Sequence, residues 1–322
     1  MIRRRFYSMA MFLVFILLLS TGCSRTKQKD SEERLNVVAT VGMIADAAQI
    51  IGGDHVKVTG LMGPGVDPHL YKASEGDVTR MVEADLIFYG GLHLEGKMGE
   101  VLERMQTRIP TVAVGEAVPE IKRIVVARSE NHLQYDPHIW FDVSLWMEVA
   151  DTIAHTLARV DTLHRTDYLA NAAVYLDSLN ALHQWVLERT GTIAEGQRVL
   201  ITAHDAFNYF SRAYGFEVHG LQGISTATEA GTGDVMGLAK MIANRRIPAI
   251  FVESSVPPRT IEAVQAAVRS RGHEVGIGGE LFSDAMGNPG TPEGHYLGMV
   301  RHNVNTIVDA LNGAALTGKD EQ

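Results

Sequence analysis

The chain has 322 residues, 46% hydrophobic and 21% charged, with 31 glycines and 10 prolines, a balance that excludes collagen-like and disordered classes. Lysine and arginine number 29 against 38 acidic residues, a formal charge of -9, and neither sign is gathered into a block, which argues against a nucleic-acid partner. At roughly 150 residues per domain, the length fits two domains with a core in each.

The chain opens on Arg3, Arg4 and Arg5, then an apolar run from Met9 to Leu19, then Ser20, Thr21 and Gly22 before Cys23, the only cysteine. A basic segment, an apolar segment and small residues at a cleavage point make an export signal, and the run is too short to cross a bilayer as a helix. The pattern reads as a bacterial lipoprotein signal over residues 1–22, with Cys23 the acylated first residue of the mature chain and its membrane anchor. Ser20 stands where leucine is commonest in such signals, and the alternative is a signal anchor with an incidental cysteine. A single cysteine also excludes an intramolecular disulfide and any Cys-based zinc or iron-sulfur site. Removing residues 1–22 takes away three arginines and no acid, so 26 basic residues face 38 acidic ones and the mature charge is -12. Residues 23–34 are polar without apolar periodicity and read as a flexible tether.

From Leu35 onward strands and helices alternate. Val37 to Val41, Val56 to Met62, Leu86 to Tyr89 and Thr111 to Val114 read as strands. Met43 to Ile51 between the first two has helical apolar spacing and ends at Gly52 and Gly53. Ser74 with Asp77 three residues on marks a helix start. From Arg165 to Thr190 there is no glycine and no proline, and Tyr168, Ala172, Tyr175, Leu179, Leu182 and Val186 recur at alternating spacings of 4 and 3. This is one apolar seam along a helix of about 26 residues, roughly 39 Å long. The alternation resumes with strands at Val199 to Thr202, Glu217 to Gly220, Ala249 to Val252 and Glu274 to Ile277, and a helix at Val235 to Ala243. The fold class is therefore α/β, two four-stranded parallel-sheet lobes over residues 35–162 and 195–322, joined by one long rigid helix over residues 163–194. A helix packed inside one lobe is the alternative.

Open α/β sheets bind ligands in the loops after their strands, and four chemically capable residues fall there. His69 lies in Gly63-Pro-Gly-Val-Asp-Pro-His69-Leu-Tyr and His138 in Tyr135-Asp-Pro-His138-Ile-Trp-Phe-Asp142, so the tripeptide Asp-Pro-His occurs twice. Proline restricts its own φ and the residue before it, so each imidazole projects from a stiff turn. His204 ends the first strand of the second lobe and Asp284 follows that lobe's last strand. A lone histidine in a turn is more often a surface residue, and a lone aspartate before alanine is more often a helix cap. Two from each lobe, all after strands, form a closed set of three imidazoles and one carboxylate that suits Zn²⁺. With Asp284 bidentate the set also suits Mn²⁺ or Fe²⁺.

The segments GVDPHLY, DPHIWFDV, TAHDAFNYFSRAYGFEVHGLQGIST, FVESSVPP and GGELFSDAMG together resemble the metal-receptor lipoproteins of ABC importers, the TroA-like and ZnuA-like family of zinc and manganese binding proteins. The resemblance runs from about Leu35 to the C-terminus. It implies a C-shaped pair of lobes joined by a rigid helix, with metal between them held by His69, His138, His204 and Asp284. The His-rich acidic loop of the zinc-dedicated branch is missing, since 116–134 holds only His132, so the chain is more similar to the TroA-like branch.

Two further residues are candidates to support a ligand imidazole: Glu253, which ends a strand, and His93, which follows one. Of the other histidines, His55, His132, His155, His164, His183, His273 and His302 read as surface or packing residues, with His219 and His295 less clear. No HExxH, CxxC or GxSxG motif is present. The expected function is capture of Zn²⁺ or Mn²⁺ as cargo, with Fe²⁺ less favoured, and its delivery to an ABC permease with its ATPase. The chain is expected to be a monomer, lipid-anchored at the outer face of the cytoplasmic membrane, and not an enzyme. The alternatives are an exported zinc hydrolase, with Asp205 or Glu253 as its base, and an adhesin built on the same fold. Three neutral imidazoles with ordinary pKa values predict that metal affinity drops as pH falls through roughly 6 to 5.

Overall fold

The computed structural model describes residues 34–129 and 132–313; the expected lipoprotein signal, Cys23 and nearly all of the expected tether lie outside these residues. Among the described residues no helix is long and apolar enough to cross a membrane.

The first half is built on a four-stranded parallel sheet in the order β2-β1-β3-β4. Its strands are β1 (Leu35–Ala39), β2 (Val56–Gly60), β3 (Leu86–Tyr89) and β4 (Thr111–Ala113). Val37 pairs with both Val58 and Leu86, and Ile87 with Thr111. Central β1 and β3 are apolar on both faces because helices cover both sides of a parallel sheet, and Val37, Val38, Leu86, Ile87 and Phe88 are all buried. Helices α1 (Gly42–Gly52), α2 (Glu75–Val82) and α3 (Gly99–Gln106) make the crossovers. The start of α2 carries the expected reciprocal cap: Ser74 Oγ accepts from Asp77 N, and Asp77 Oδ2 accepts from Ser74 N at 2.8 Å. The Tyr71 hydroxyl donates to the same carboxylate at 2.7 Å, so the loop before α2 is tied to its first turn.

An antiparallel pair that sequence reading did not anticipate follows: β5 (Val125–Ser129) and β6 (His132–Tyr135). Its strands are too short to show a period, and a register shift between Val125 and Ala127 breaks the alternation further. Helix α4 (Val143–Val160) then leads into α5 (Arg165–Gly191), whose 27 residues span the expected window. All six seam residues from Tyr168 to Val186 are buried. The helix packs on α1 and α4, which precede it, and on α6 (Asn208–Tyr214) and α9 (Tyr296–Leu311), which follow it. One apolar core runs continuously from Leu35 to Leu311 through this seam. Leu179 is fully buried at its centre, and Leu179→Ala is expected to destabilise the fold by about 3 kcal/mol through lost burial and a cavity. Calorimetry of the metal-free protein checks this.

The strands of the second half form two parallel pairs, β7 (Val199–His204) with β8 (Glu217–Gln222), and β9 (Ala249–Glu253) with β10 (Gly276–Leu281). β7 and β9 lie side by side, and α7 (Thr232–Arg245) and α8 (Arg259–Arg269) cover them around a second apolar cluster from Val199 to Val275. β10 begins later than its apolar residues suggest because glycines carry it. A Cβ on Gly278 would fall 2.6 Å from the Phe251 ring and 2.8 Å from Ala310, so the close approach of α9 to the strand demands glycine there.

Candidate metal centre

Each of the four candidate ligands is placed by a different strand end. His69 lies in the loop between β2 and α2, where Asp67 Oδ1 accepts its peptide N–H at 2.8 Å. His138 follows β6, and Asp136 Oδ1 accepts both its peptide N–H at 2.9 Å and its Nδ1–H at 2.7 Å. His204 is the last residue of β7; Glu253 Oε1 accepts its peptide N–H at 2.9 Å and Oε2 lies 2.5 Å from its Nδ1. Asp284 follows β10, next to Ser283, whose carbonyl accepts the Trp140 indole N–H at 2.9 Å. Gly220 on β8 makes room for this arrangement, since a Cβ there would lie 2.4 Å from the His204 carbonyl carbon and the Asp205 nitrogen.

The four side chains converge. His69 Nε2 and His138 Nε2 are 3.3 Å apart. Asp284 Oδ2 lies 3.2 Å from His204 Nε2 and 3.6 Å from His69 Nε2, and Asp284 Oδ1 lies 3.4 Å from His138 Nε2. One ligand atom from each residue lies within 4.8 Å of all the others, and none of the four residues exceeds 3% exposure. His69 Nδ1, His204 Nε2 and both Asp284 oxygens are buried without a hydrogen-bond partner. Buried polar atoms left in that state are costly, so the three of them that meet at the centre, His204 Nε2 and the two Asp284 oxygens, fit a cation bound there. With Asp136 and Glu253 holding Nδ1 of their histidines as donors, each Nε2 faces the centre and is the nitrogen that can offer a lone pair to a metal. Both Asp284 oxygens face it too, which gives the set room for five donors and suits Mn²⁺ as well as tetrahedral Zn²⁺.

The electrostatics are uneven. Burial depresses His69 to about 4, helped by the neighbouring imidazoles and opposed by Asp284. Burial also works against charge on His204, but Glu253 and Asp284 outweigh it and raise its pKa well above the usual 6.5. Asp284, although buried, is held far below the carboxylate range by His204 and the other two imidazoles. Without metal, the centre therefore holds a His204 imidazolium between two carboxylates.

Glu253, the candidate support, makes both its contacts to His204. His93 instead lines a separate cavity of about 380 Å³ with Glu103, Glu116 and Tyr135, among others, and none of the four converging residues lines it. Sequence reading assigned the stiffness of the Asp-Pro-His turns to proline and overlooked the aspartates, which hold the turns in place. Their position two residues before each histidine was the signal available.

The chain is similar to known metal-binding proteins. Residues 37–310 match the family model described as zinc-uptake complex component A, periplasmic. The chain is 46% identical over 300 residues to the manganese-binding lipoprotein MntA of Bacillus subtilis, covering 93% of this chain and 97% of that one. It is 48% identical over 275 residues to the zinc-binding protein TroA of Treponema pallidum, covering 85% and 88%. The solved structure of the periplasmic zinc binding protein TroA from Treponema pallidum superposes with a TM-score of 0.84 at 50% identity, over 87% of this chain and 99% of that one. From its sequence, its α/β fold and its relatives, the chain belongs to the ZnuA family of periplasmic zinc-uptake components.

Proposed function

We propose that this protein is an extracytoplasmic receptor that takes up one Zn²⁺ or Mn²⁺ ion and delivers it to an ABC permease driven by its ATPase. The observation that carries the reading is the buried meeting of His69, His138, His204 and Asp284, whose ligand atoms all lie within 4.8 Å of one another. The named relatives, one manganese-binding and one zinc-binding, support both metals as cargo, and the donor set suits each. In this reading residues 35–162 and 195–322 act as two lobes on the helix of residues 163–194, the metal draws them together, and docking on the permease reopens them. Acylation of Cys23 would hold the receptor, as a monomer, at the outer face of the cytoplasmic membrane.

A hydrolase reading fits less well. A catalytic zinc keeps a position open for water and a base beside it, whereas four protein donors close a tetrahedron here. Both candidate bases are engaged: Asp205 Oδ1 accepts the Gly220 N–H at 2.7 Å, and both Glu253 oxygens serve His204. The test is accumulation of radioactive zinc or manganese, at limiting concentration, by cells that lack the chain. Restoration by the wild type and not by His204→Ala is expected; equal restoration by both overturns the reading.

A further inference from the structure

The repeated Asp-Pro-His tripeptide does more than present two imidazoles. In both copies one aspartate oxygen serves the histidine and the other a side chain remote in sequence, although Asp136 Oδ1 also accepts the His138 Nδ1–H at 2.7 Å and His69 Nδ1 has no such partner. Oδ1 accepts the peptide N–H of the histidine two residues on, at 2.8 Å for Asp67 and 2.9 Å for Asp136. Oδ2 reaches a polar side chain from a segment that follows helix α5 in the chain: the Thr226 hydroxyl donates to Asp67 Oδ2, and the Asn208 amide donates to Asp136 Oδ2 at 3.1 Å. Thr226 sits in the loop between β8 and α7, and Asn208 is the first residue of α6. Thr226 is 8% exposed, so its hydrogen bond is sheltered from competing water.

We propose that these two contacts are ties that set how long the bound metal is retained, with Thr226 and Asn208 as positioning residues. A carboxylate is rigid, and the proline after each aspartate stiffens the backbone between it and the histidine. Displacement of Thr226 or Asn208 is therefore passed through the carboxylate to the peptide that carries the imidazole. The ties also run parallel to the metal. His69 and His138 come from before α5 and His204 and Asp284 from after it, and each tie joins the same two sets of segments. Metal and ties then favour one arrangement of the chain, and each strengthens the other by the same factor. A permease that pulls the loop of Thr226 or the start of α6 away would weaken two ligands without touching them. The inference rests on the receptor reading above.

The test is the rate at which loaded protein gives up Zn²⁺ or Mn²⁺ to excess chelator in stopped flow. Hydrogen bonds to charged groups are strong enough that Thr226→Val should speed release about tenfold, mostly in the off-rate. Thr226→Ser, which keeps the hydroxyl, should stay near the wild-type rate, and Asn208→Ala should speed release on its own. Val268→Ala, a core substitution in α8, is the control for general loosening: it lowers the melting temperature and leaves the release rate unchanged. Wild-type rates in Thr226→Val and Asn208→Ala overturn the proposal, as does an equal acceleration in Thr226→Ser. If Thr226→Val does not fold, Asn208→Ala decides alone. A wild-type chain that binds neither metal overturns the receptor reading and this inference with it, an outcome distinct from unchanged rates in variants of a protein that does bind.

Discussion

Asp284→Ala is expected to lose metal affinity by more than roughly a hundredfold, the upper end of what loss of a residue that merely supports a ligand costs. The substitution removes the only anionic donor and leaves three neutral imidazoles. Metal at 1,000 times Kd stabilises a folded protein by about 4 kcal/mol, and a hundredfold weaker site leaves roughly 1.4 kcal/mol of that. Most of the metal-induced rise in melting temperature should therefore disappear. The metal-free variant should still melt cooperatively, within a few degrees of the metal-free wild type. Asp284 packs no apolar core, and Glu253 still balances the His204 imidazolium at 2.5 Å. Titration calorimetry and thermal scans with and without metal check both parts. Undiminished affinity would remove Asp284 from the site.

The second large effect is on protons. In the metal-free protein Glu253 and Asp284 hold His204 charged to well above pH 6.5 against the cost of burial. A metal needs the lone pair on Nε2, so binding must expel that proton while the Nδ1–H stays on Glu253. Lower pH therefore weakens binding, by about tenfold per unit below the pKa of His204. His69, depressed to about 4 by burial, is already neutral and adds no proton above pH 5. The fall between pH 6 and 5 expected from three ordinary imidazoles is thus redistributed: it begins above neutrality and His204 leads it. At pH 7.5 binding should release more protons per metal than the roughly a quarter expected of three imidazoles with unperturbed pKa values. Calorimetry in buffers of different ionisation enthalpy counts them, and a value near a quarter would contradict the charged state assigned to His204.

Much of this was legible in the chain itself because local pattern and tertiary role coincide there. The seam from Tyr168 to Val186 repeats over 19 residues, long enough for helical periodicity to be unambiguous, and every member is buried. His69 follows and His204 ends a strand that local pattern reveals, and the repeated Asp-Pro-His tripeptide marks His138. What stayed hidden depends on partners remote in sequence. Nothing local to Thr226 marks it as a donor to Asp67, 159 residues away, and the raised pKa of His204 comes from Glu253 and Asp284, each far along the chain. The pair β5 and β6 and the true extent of β10 were missed because short or glycine-rich strands carry almost no period; their limits are set by what packs against them, as Phe251 and Ala310 do against Gly278.

Elemental analysis of the purified mature protein, wild type beside His138→Ala, tests the central claim most directly. His138 is fully buried and its Nε2 faces the other donors, so its loss should empty the site and leave the fold intact. The account predicts one zinc or manganese per wild-type chain and none in the variant. Absence of metal from both, even after incubation with Zn²⁺ and Mn²⁺, or equal metal in both, would contradict it.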